Sequence, residues 1–454
     1  MNLSGDHLRA SAIDDMPLSS YQLTIIVVCS LVAMIDGFDT QAIAFVAPDI
    51  AKEWQVPISS FGPVFGAGLF GALIGALIAG SVSDRIGRKP GILLSLFTFG
   101  LTSLLMSRAN SLGELTIFRF IAGLGLGGAM PSIIALTTEY TPRRKRTTFV
   151  AAMFCGFPFG ASLGAAASAW ALPNYGWKSV FLAGGVLPLL LLPIVGVVIP
   201  ESLHFLVRNG KAAKLNQITR RLGISDYKQT NDDSPSSEIQ PSRSLAEIFR
   251  GGRLVGTTLL WLTFFLSLLL SYFLVNWIPS VTRQAGLITE GAVGAVAVLN
   301  IGGIIGCFVL SWCIDKFNAN YTICVGYLLG ALAIVTIGLT ASSLAAVLIS
   351  VFVAGFFSLG AQLCVVAVAA VYYPQHIRAT GVAWTMGIGR IGAVVGPVLG
   401  GLLIAEGFGP AGLFAVAGLA SLLAGVAVGL MELLRSDRKP LEANSMTSTA
   451  KSAY

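Results

Sequence analysis

The chain has 454 residues, of which 51 are charged: 29 Lys and Arg against 22 Asp and Glu. That is 11%, against roughly 25% in soluble domains, and 55% of the residues are hydrophobic before the 52 glycines are counted. A soluble enzyme, a disordered chain and a disulfide scaffold are excluded. Long apolar runs without two-residue alternation also exclude an outer-membrane barrel, which leaves an all-α polytopic membrane protein.

Residues 1–20 hold three aspartates and no apolar core, so a cytoplasmic N-terminus without a cleavable signal is expected. Stretches long enough to cross a bilayer follow near 21–47, 59–81, 91–107, 112–138, 147–170 and 179–199. A polar stretch over 200–252 reads as a cytoplasmic linker, partly helical at best. The spans resume near 254–278, 291–313, 320–340, 343–370, 380–404 and 410–432. Two six-helix bundles, 21–199 and 253–433, with a cytoplasmic tail over 434–454, are therefore expected. Spans are numbered 1 to 12 in this order.

The basic residues set the orientation. With the N-terminus inside, 23 of the 29 fall on the cytoplasmic side, among them Arg85, Arg88 and Arg378. Only Lys52, Arg108, Lys178 and Arg283 lie outside, and Arg119 and Arg390 fall within spans. Twelve spans then put both termini in the cytoplasm.

The halves repeat. Adding 232 carries Ala122-Gly123 to Ala354-Gly355, Tyr140 to Tyr372, Pro142 to Pro374, Arg146 to Arg378 and Gly160 to Gly392. One residue less carries Gly75 to Gly306 and Asp84 to Asp315. Six spans per repeat make the halves parallel, the layout of a rocking carrier with its site at the midplane. The run Gly123-Leu-Gly125-Leu-Gly127-Gly128 satisfies GxGxxG, but no strand precedes it and no dinucleotide site is expected. Gly156, Gly160 and Gly164 in span 5, and Gly392, Gly396 and Gly400 in span 11, have the spacing of close helix contacts.

Charge at membrane depth is costly and marks function by default. In span 1, Asp36 and Asp39 are three apart on one face, 15 and 18 residues into the predicted span, somewhat past its middle. Two close carboxylates in a low dielectric do not easily both ionise, so one is expected to hold a proton, as a proton carrier requires. The alternatives are a cap on a helix broken at Gly37 or a permanent arginine pair. Arg119 in span 4 is a carboxylate-binding guanidinium or a structural partner of those acids. Arg390 in span 11 has no acid at its depth in the second half and suits an anionic substrate. Phe154 and Phe157 in span 5, Tyr272 and Trp277 in span 7 and Trp384 in span 11 are ring-binding candidates, or packing and interfacial residues. Gln362 in span 10 is an uncharged hydrogen-bonding group. The six cysteines lack CxxC spacing and are expected as free thiols; His7, His204 and His376 are too scattered for a metal.

Gly80-Ser-Val-Ser-Asp84-Arg85-Ile-Gly87-Arg88-Lys89 resembles the loop motif of the major facilitator superfamily in full. Arg119 with Gly123 resembles its span-4 motif and Pro200-Glu201-Ser202 its span-6 end. Asp36-Gly37-Phe38-Asp39 is similar to the signature of the aromatic acid:proton symporters. Glu139-Tyr140-Thr141-Pro142, Asn276-Trp277-Ile278-Pro279 and Gly389-Arg390-Ile391-Gly392 also look like that family, most of all its 4-hydroxybenzoate/protocatechuate transporters.

The resemblance implies the major facilitator fold in a bacterial inner membrane, and a monomer without enzymatic activity. It implies proton coupling through Asp36, Asp39 and Glu139, and gating by Asp84, Arg85, Arg88, Asp315 and Arg378, although the second copy, Asp315-Lys316, is degraded. Together with the residue reading it makes Arg119, Arg390, Phe154, Tyr272, Gln362 and Trp384 the expected substrate contacts. The expected partners are a small aromatic acid, protons and the bilayer; neither nucleic acid, nor a metal, nor a cofactor beyond the proton is expected. Symport of nicotinate, hydroxyphenylpropionate or an aliphatic dicarboxylate, proton-coupled efflux, and a sensor on the same fold are the alternatives.

Overall fold

The computed structural model describes residues 18–222, 245–250, 253–284, 289–340, 343–374 and 377–436. Most of the expected N-terminal segment, residues 223–244 and 251–252 of the expected linker, the tail after 436, and the side chains of Asp84 and Arg378 lie outside these. The described residues are helical, and twelve helices are long and apolar enough to cross a membrane. The chain divides into two compact units, Met1–Pro241 and Ser242–Tyr454.

In the first unit the spans are helices Ser20–Glu53, Phe61–Ile86, Arg88–Met106, Leu112–Tyr140, Arg146–Tyr175 and Trp177–Val198. Span 1 starts on a reciprocal cap: Gln22 N–H donates to Ser19 Oγ, and the Gln22 side chain accepts from Ser19 N–H. It runs unbroken through Gly37 to Glu53, longer than its apolar run. Asp36 and Asp39 therefore lie at its centre, not past it. Single glycines with positive φ join spans 2 and 3 (Gly87, φ 107°) and spans 5 and 6 (Gly176, φ 72°). The stretch after span 6 carries two short helices, Leu203–Arg208 and Ala212–Arg221, and a third, Leu245–Phe249, precedes span 7.

In the second unit the spans are Leu254–Gln284, Thr289–Lys316, Ala319–Leu339, the interrupted span 10, Arg378–Ala405 and Pro410–Ser436. Span 10 is α-helical over Leu344–Ala354, π-helical over Gly355–Leu359 and α-helical again over Gly360–Tyr372. The interruption was not expected from the sequence.

Span 1 packs on span 5, span 2 on span 4 and span 3 on span 6; the second unit pairs span 7 with 11, 8 with 10 and 9 with 12. The backbone contacts repeat with the sequence. A Cβ on Gly71 would overlap the Phe120 carbonyl oxygen, one on Gly75 that of Leu124, and one on Gly123 that of Gly68. The same holds 231 or 232 residues later for Gly302 on Phe352, Gly306 on Phe356 and Gly355 on Leu299. Gly160 meets the Met34 carbonyl, and Gly392 that of Phe265. Helices this close are held by dispersion and geometry, since lipid tails leave no hydrophobic force between them. The GxGxxG run is part of this packing: Gly123 and Gly127 abut span 2, while Gly125 and Gly128 abut span 3. Large apolar side chains such as Leu77 and Val197 point outward, as a lipid-facing surface requires.

Candidate functional site

The buried charge of the first unit follows from how span 1 is seated. A Cβ on Gly37 would overlap the Phe157 carbonyl, so this face of span 1 lies flat on span 5. Asp39, two residues on, is turned by about 200° from Gly37 and points to the opposite side. There it meets spans 3 and 4. Ser103 of span 3 donates its hydroxyl to Asp39 Oδ1 at 2.5 Å. Arg119 of span 4 places Nη1 3.4 Å from Asp39 Oδ2. Asp39 is 1% exposed and Arg119 4%.

Arg119 also holds the span 1 backbone, Nη1 donating to the Asp39 carbonyl at 3.0 Å and Nη2 to the Thr40 carbonyl at 3.1 Å. Gly68 of span 2 leaves room for the guanidinium, because a Cβ there would stand 3.2 Å from Nε. Of the sequence alternatives, the helix broken at Gly37 is overturned, since span 1 is continuous there. The arginine pair is present. Asp36 is also buried, at 4%, and accepts from the Thr40 hydroxyl at 3.1 Å. Ser103 and the two carbonyls had no signal in the sequence.

At the end of this unit that carries the basic loops, the chain is tied by another acid. Glu201 Oε1 accepts the backbone N–H of Arg88 (2.7 Å), Lys89 (3.2 Å) and Ser202 (2.9 Å). A carboxylate thus sits on the N-terminus of span 3, where the helix dipole favours it. The Lys89 ammonium donates to the Gly196 carbonyl of span 6. Tyr140 donates its hydroxyl to the Glu201 carbonyl at 2.7 Å, and Gln22 of span 1 donates to the Tyr140 carbonyl at 2.9 Å. Spans 1, 3, 4 and 6 therefore meet around Glu201. Arg85 is exposed and Arg88 half-buried.

Glu139, expected in proton coupling, has both oxygens on the start of the Leu203–Arg208 helix. Oε1 accepts from the Ser202 hydroxyl at 2.9 Å and Oε2 from Leu203 N–H at 3.0 Å. It stands 20 residues from Arg119 along span 4, about 30 Å.

In the second unit Arg390 is half-buried near the middle of span 11. Ser271 of span 7 donates its hydroxyl to Gln362 Oε1 of span 10 at 3.4 Å and to the Ser267 carbonyl at 2.9 Å. Tyr272 is half-buried beside it. Ser267 and Tyr327 share a hydroxyl hydrogen bond of 2.6 Å, and Ser421 donates to the Tyr327 carbonyl. Trp277 is fully buried and donates to the Pro397 carbonyl, so it packs within the unit. Trp384 is 46% exposed and stacks on Trp261, 6.2 Å between centroids, about 9 Å along the helix from its Arg378 end. Phe154 is exposed, about 160° around span 5 from Gly156. Asp315 is exposed, and Lys316 lies over Trp312 at 4.0 Å. Among the described residues no cluster could hold a metal ion.

A family model described as Major Facilitator Superfamily matches residues 29–347 and 314–452. The chain is 39% identical over 421 residues to a gallate transporter of Pseudomonas putida, covering 92% of this chain and 93% of that one. It is 38% identical over 397 residues to the 4-hydroxybenzoate transporter PcaK of Acinetobacter baylyi, covering 86% and 87%. Its fold is similar to that of the xylose transporter XylE from E. coli in a partially occluded inward-open conformation. The TM-score is 0.69 at 19% identity, covering 90% of this chain and 97% of that one.

Proposed function

The chain belongs to the major facilitator superfamily, a family of transporters and not of enzymes, and we propose that within it this protein is a proton-coupled importer of a small aromatic carboxylate, 4-hydroxybenzoate or a related benzoate. The reading is carried by one observation joined to the relatives' names. A carboxylate and a guanidinium are buried together at the centre of span 1, in a chain alike over most of its length to carriers named for gallate and 4-hydroxybenzoate.

In this reading the protein lies in a bacterial inner membrane with both termini in the cytoplasm. A proton entering from outside neutralises the Asp36/Asp39 pair. The substrate carboxylate binds Arg390, or Arg119 once Asp39 no longer competes for its Nη1. Phe154, Tyr272, Gln362 and Trp384 are the candidate ring contacts. The two halves rock, and both ligands leave on the cytoplasmic side, where Asp84, Arg85, Arg88, Asp315 and Arg378 act as gate residues. Accumulating one anion against an inside-negative potential costs about 2.3 kcal/mol per 100 mV, and one co-transported proton cancels that cost.

Uptake of labelled 4-hydroxybenzoate into whole cells tests the coupling. Accumulation is expected to collapse on addition of a protonophore; accumulation that survives it sinks the proposal. With Asp39→Asn, exchange across equilibrated membranes is expected to persist while uphill accumulation is lost.

A further inference from the structure

The internal repeat pairs unlike chemistries. The Met34 and Phe265 contacts fix the correspondence of spans 1 and 7 at 231 residues. At that offset Asp36 falls on Ser267 and Thr40 on Ser271. Where span 1 holds an acid bonded to a hydroxyl one turn on, span 7 holds two hydroxyls, the second bonded to the carbonyl of the first. The second unit is thus built at the equivalent turn of its first span for neutral hydrogen bonding.

The partner of Ser271 comes from span 10. Gln362 lies three residues beyond the π-helical turn Gly355–Leu359. Such a turn carries one residue more than α-helical geometry needs, so it rotates everything after it by about 100°. The turn is tied into the unit, since Ser358 reaches the Ser421 hydroxyl at 3.5 Å. Its effect on Gln362 is to bring Oε1 within 3.4 Å of Ser271. The amide carbonyl is then used, while Nε2 has no partner among the described residues and the side chain is half-exposed. Ser271 spends its proton on two acceptors, which leaves its oxygen as an acceptor. Ser271 and Gln362 lie within about 6 Å of the middle of their spans along the helix axis, and so does Arg390.

An amide N–H donor beside a hydroxyl acceptor, both neutral, matches a group that accepts one hydrogen bond and donates one. A phenolic hydroxyl is such a group; a carboxylate, which only accepts, is not. Resting on the proposed aromatic-acid transport, we infer that Ser271 and Gln362 read the ring hydroxyl of the substrate. They accordingly make the carrier selective for hydroxylated over unsubstituted benzoates.

The test is binding of 4-hydroxybenzoate, 3-hydroxybenzoate and benzoate to the purified full-length protein by calorimetry, compared with Gln362→Met and Ser271→Ala. The unsubstituted protein is expected to favour at least one hydroxybenzoate over benzoate by roughly tenfold or more. Each variant is expected to reduce that preference to within about threefold by weakening the hydroxylated acid alone. A monodisperse peak on size-exclusion chromatography shows that the variants are folded. A preference that survives both substitutions, or benzoate affinity that falls in parallel with it, overturns the hydroxyl reading while leaving aromatic-acid transport standing. If none of the three acids binds the unsubstituted protein, the transport reading itself falls, and this inference with it.

Discussion

Replacing Asp39 by asparagine removes a charge that lies 3.4 Å from the Arg119 guanidinium, with both side chains almost wholly out of solvent. At that separation, and at an effective dielectric of about 20, the attraction is about 5 kcal/mol. Desolvation of the two ions consumes most of it, so the pair gains little over an apolar replacement of both. Removing one partner is different, because the other is stranded, at a typical cost of about 3–5 kcal/mol. Arg119 keeps the Asp39 and Thr40 carbonyls, which puts Asp39→Asn at the lower end, about 3 kcal/mol. Arg119→Leu strands the carboxylate, which can take up a proton, and costs less than that. The double variant Asp39→Asn, Arg119→Leu removes the stranded cation as well. Its loss is expected to fall short of the sum of the single losses by about 2 kcal/mol. The assay is thermal inactivation in detergent, followed by the surviving monodisperse fraction on size-exclusion chromatography. The double variant is expected to lose clearly less than the two single variants together. Losses that simply add would refute the coupling.

Glu201→Ala leaves two backbone N–H groups at the start of span 3, and that of Ser202, without their acceptor. A loss of about 1.5–3 kcal/mol is expected in the same assay, with Glu201→Gln keeping part of it. Ser103→Ala removes the 2.5 Å donor to Asp39. It is expected to cost about 1.5–3 kcal/mol and to change the pH dependence of uptake, while Ser95→Ala, away from the acid, leaves that profile unmoved. Gly37→Leu drives a side chain into the Phe157 backbone of span 5, and the monodisperse chromatographic peak is expected to vanish. Trp384→Ala loses the stack on Trp261, worth about 0.5–1.5 kcal/mol of stability. As a proposed ring contact, its loss is also expected to raise the KM for the aromatic acid, measured by concentration-dependent uptake.

The spans were readable because length and apolarity alone determine what a bilayer accepts; the helix ends follow the predicted stretches within five residues except at the ends of spans 1 and 7, each six residues longer. Span 1 continues to Glu53 past its apolar run, because Ala42 to Ala47 and Ile50 are packed inside the unit and carry the helix onward. Asp39 and Arg119 were readable for a related reason: an ionised group at depth is so costly that its presence is itself a signal. Neutral partners carry no such mark, which is why Ser103 and the carbonyls of Asp39 and Thr40 went unseen. Glu201 stood in a quoted motif, but its role depends on Gly87 turning span 3 back toward the end of span 6, a tertiary fact. The π-helical turn was hidden because Gly355 and Gly360 read as ordinary close-packing glycines, which they also are. Trp384 was readable as a candidate ring contact by residue type, while its stack on Trp261 is a tertiary fact.

Arg119 is docked by dipoles as well as by an ion. Two of its three bonds to span 1 end on peptide carbonyls, whose hold does not depend on the charge of any side chain. With Asp39 ionised the Asp39–Arg119 pair carries no net charge; in the proposed coupling, a proton taken up by Asp39 unmasks a full positive charge in a guanidinium that stays anchored to the same helix. The local charge is therefore uncoupled from the anchoring. In that reading a proton arriving at Asp39 writes a cation into the membrane interior without dragging a side chain after it, and an anion nearby meets that charge already in place.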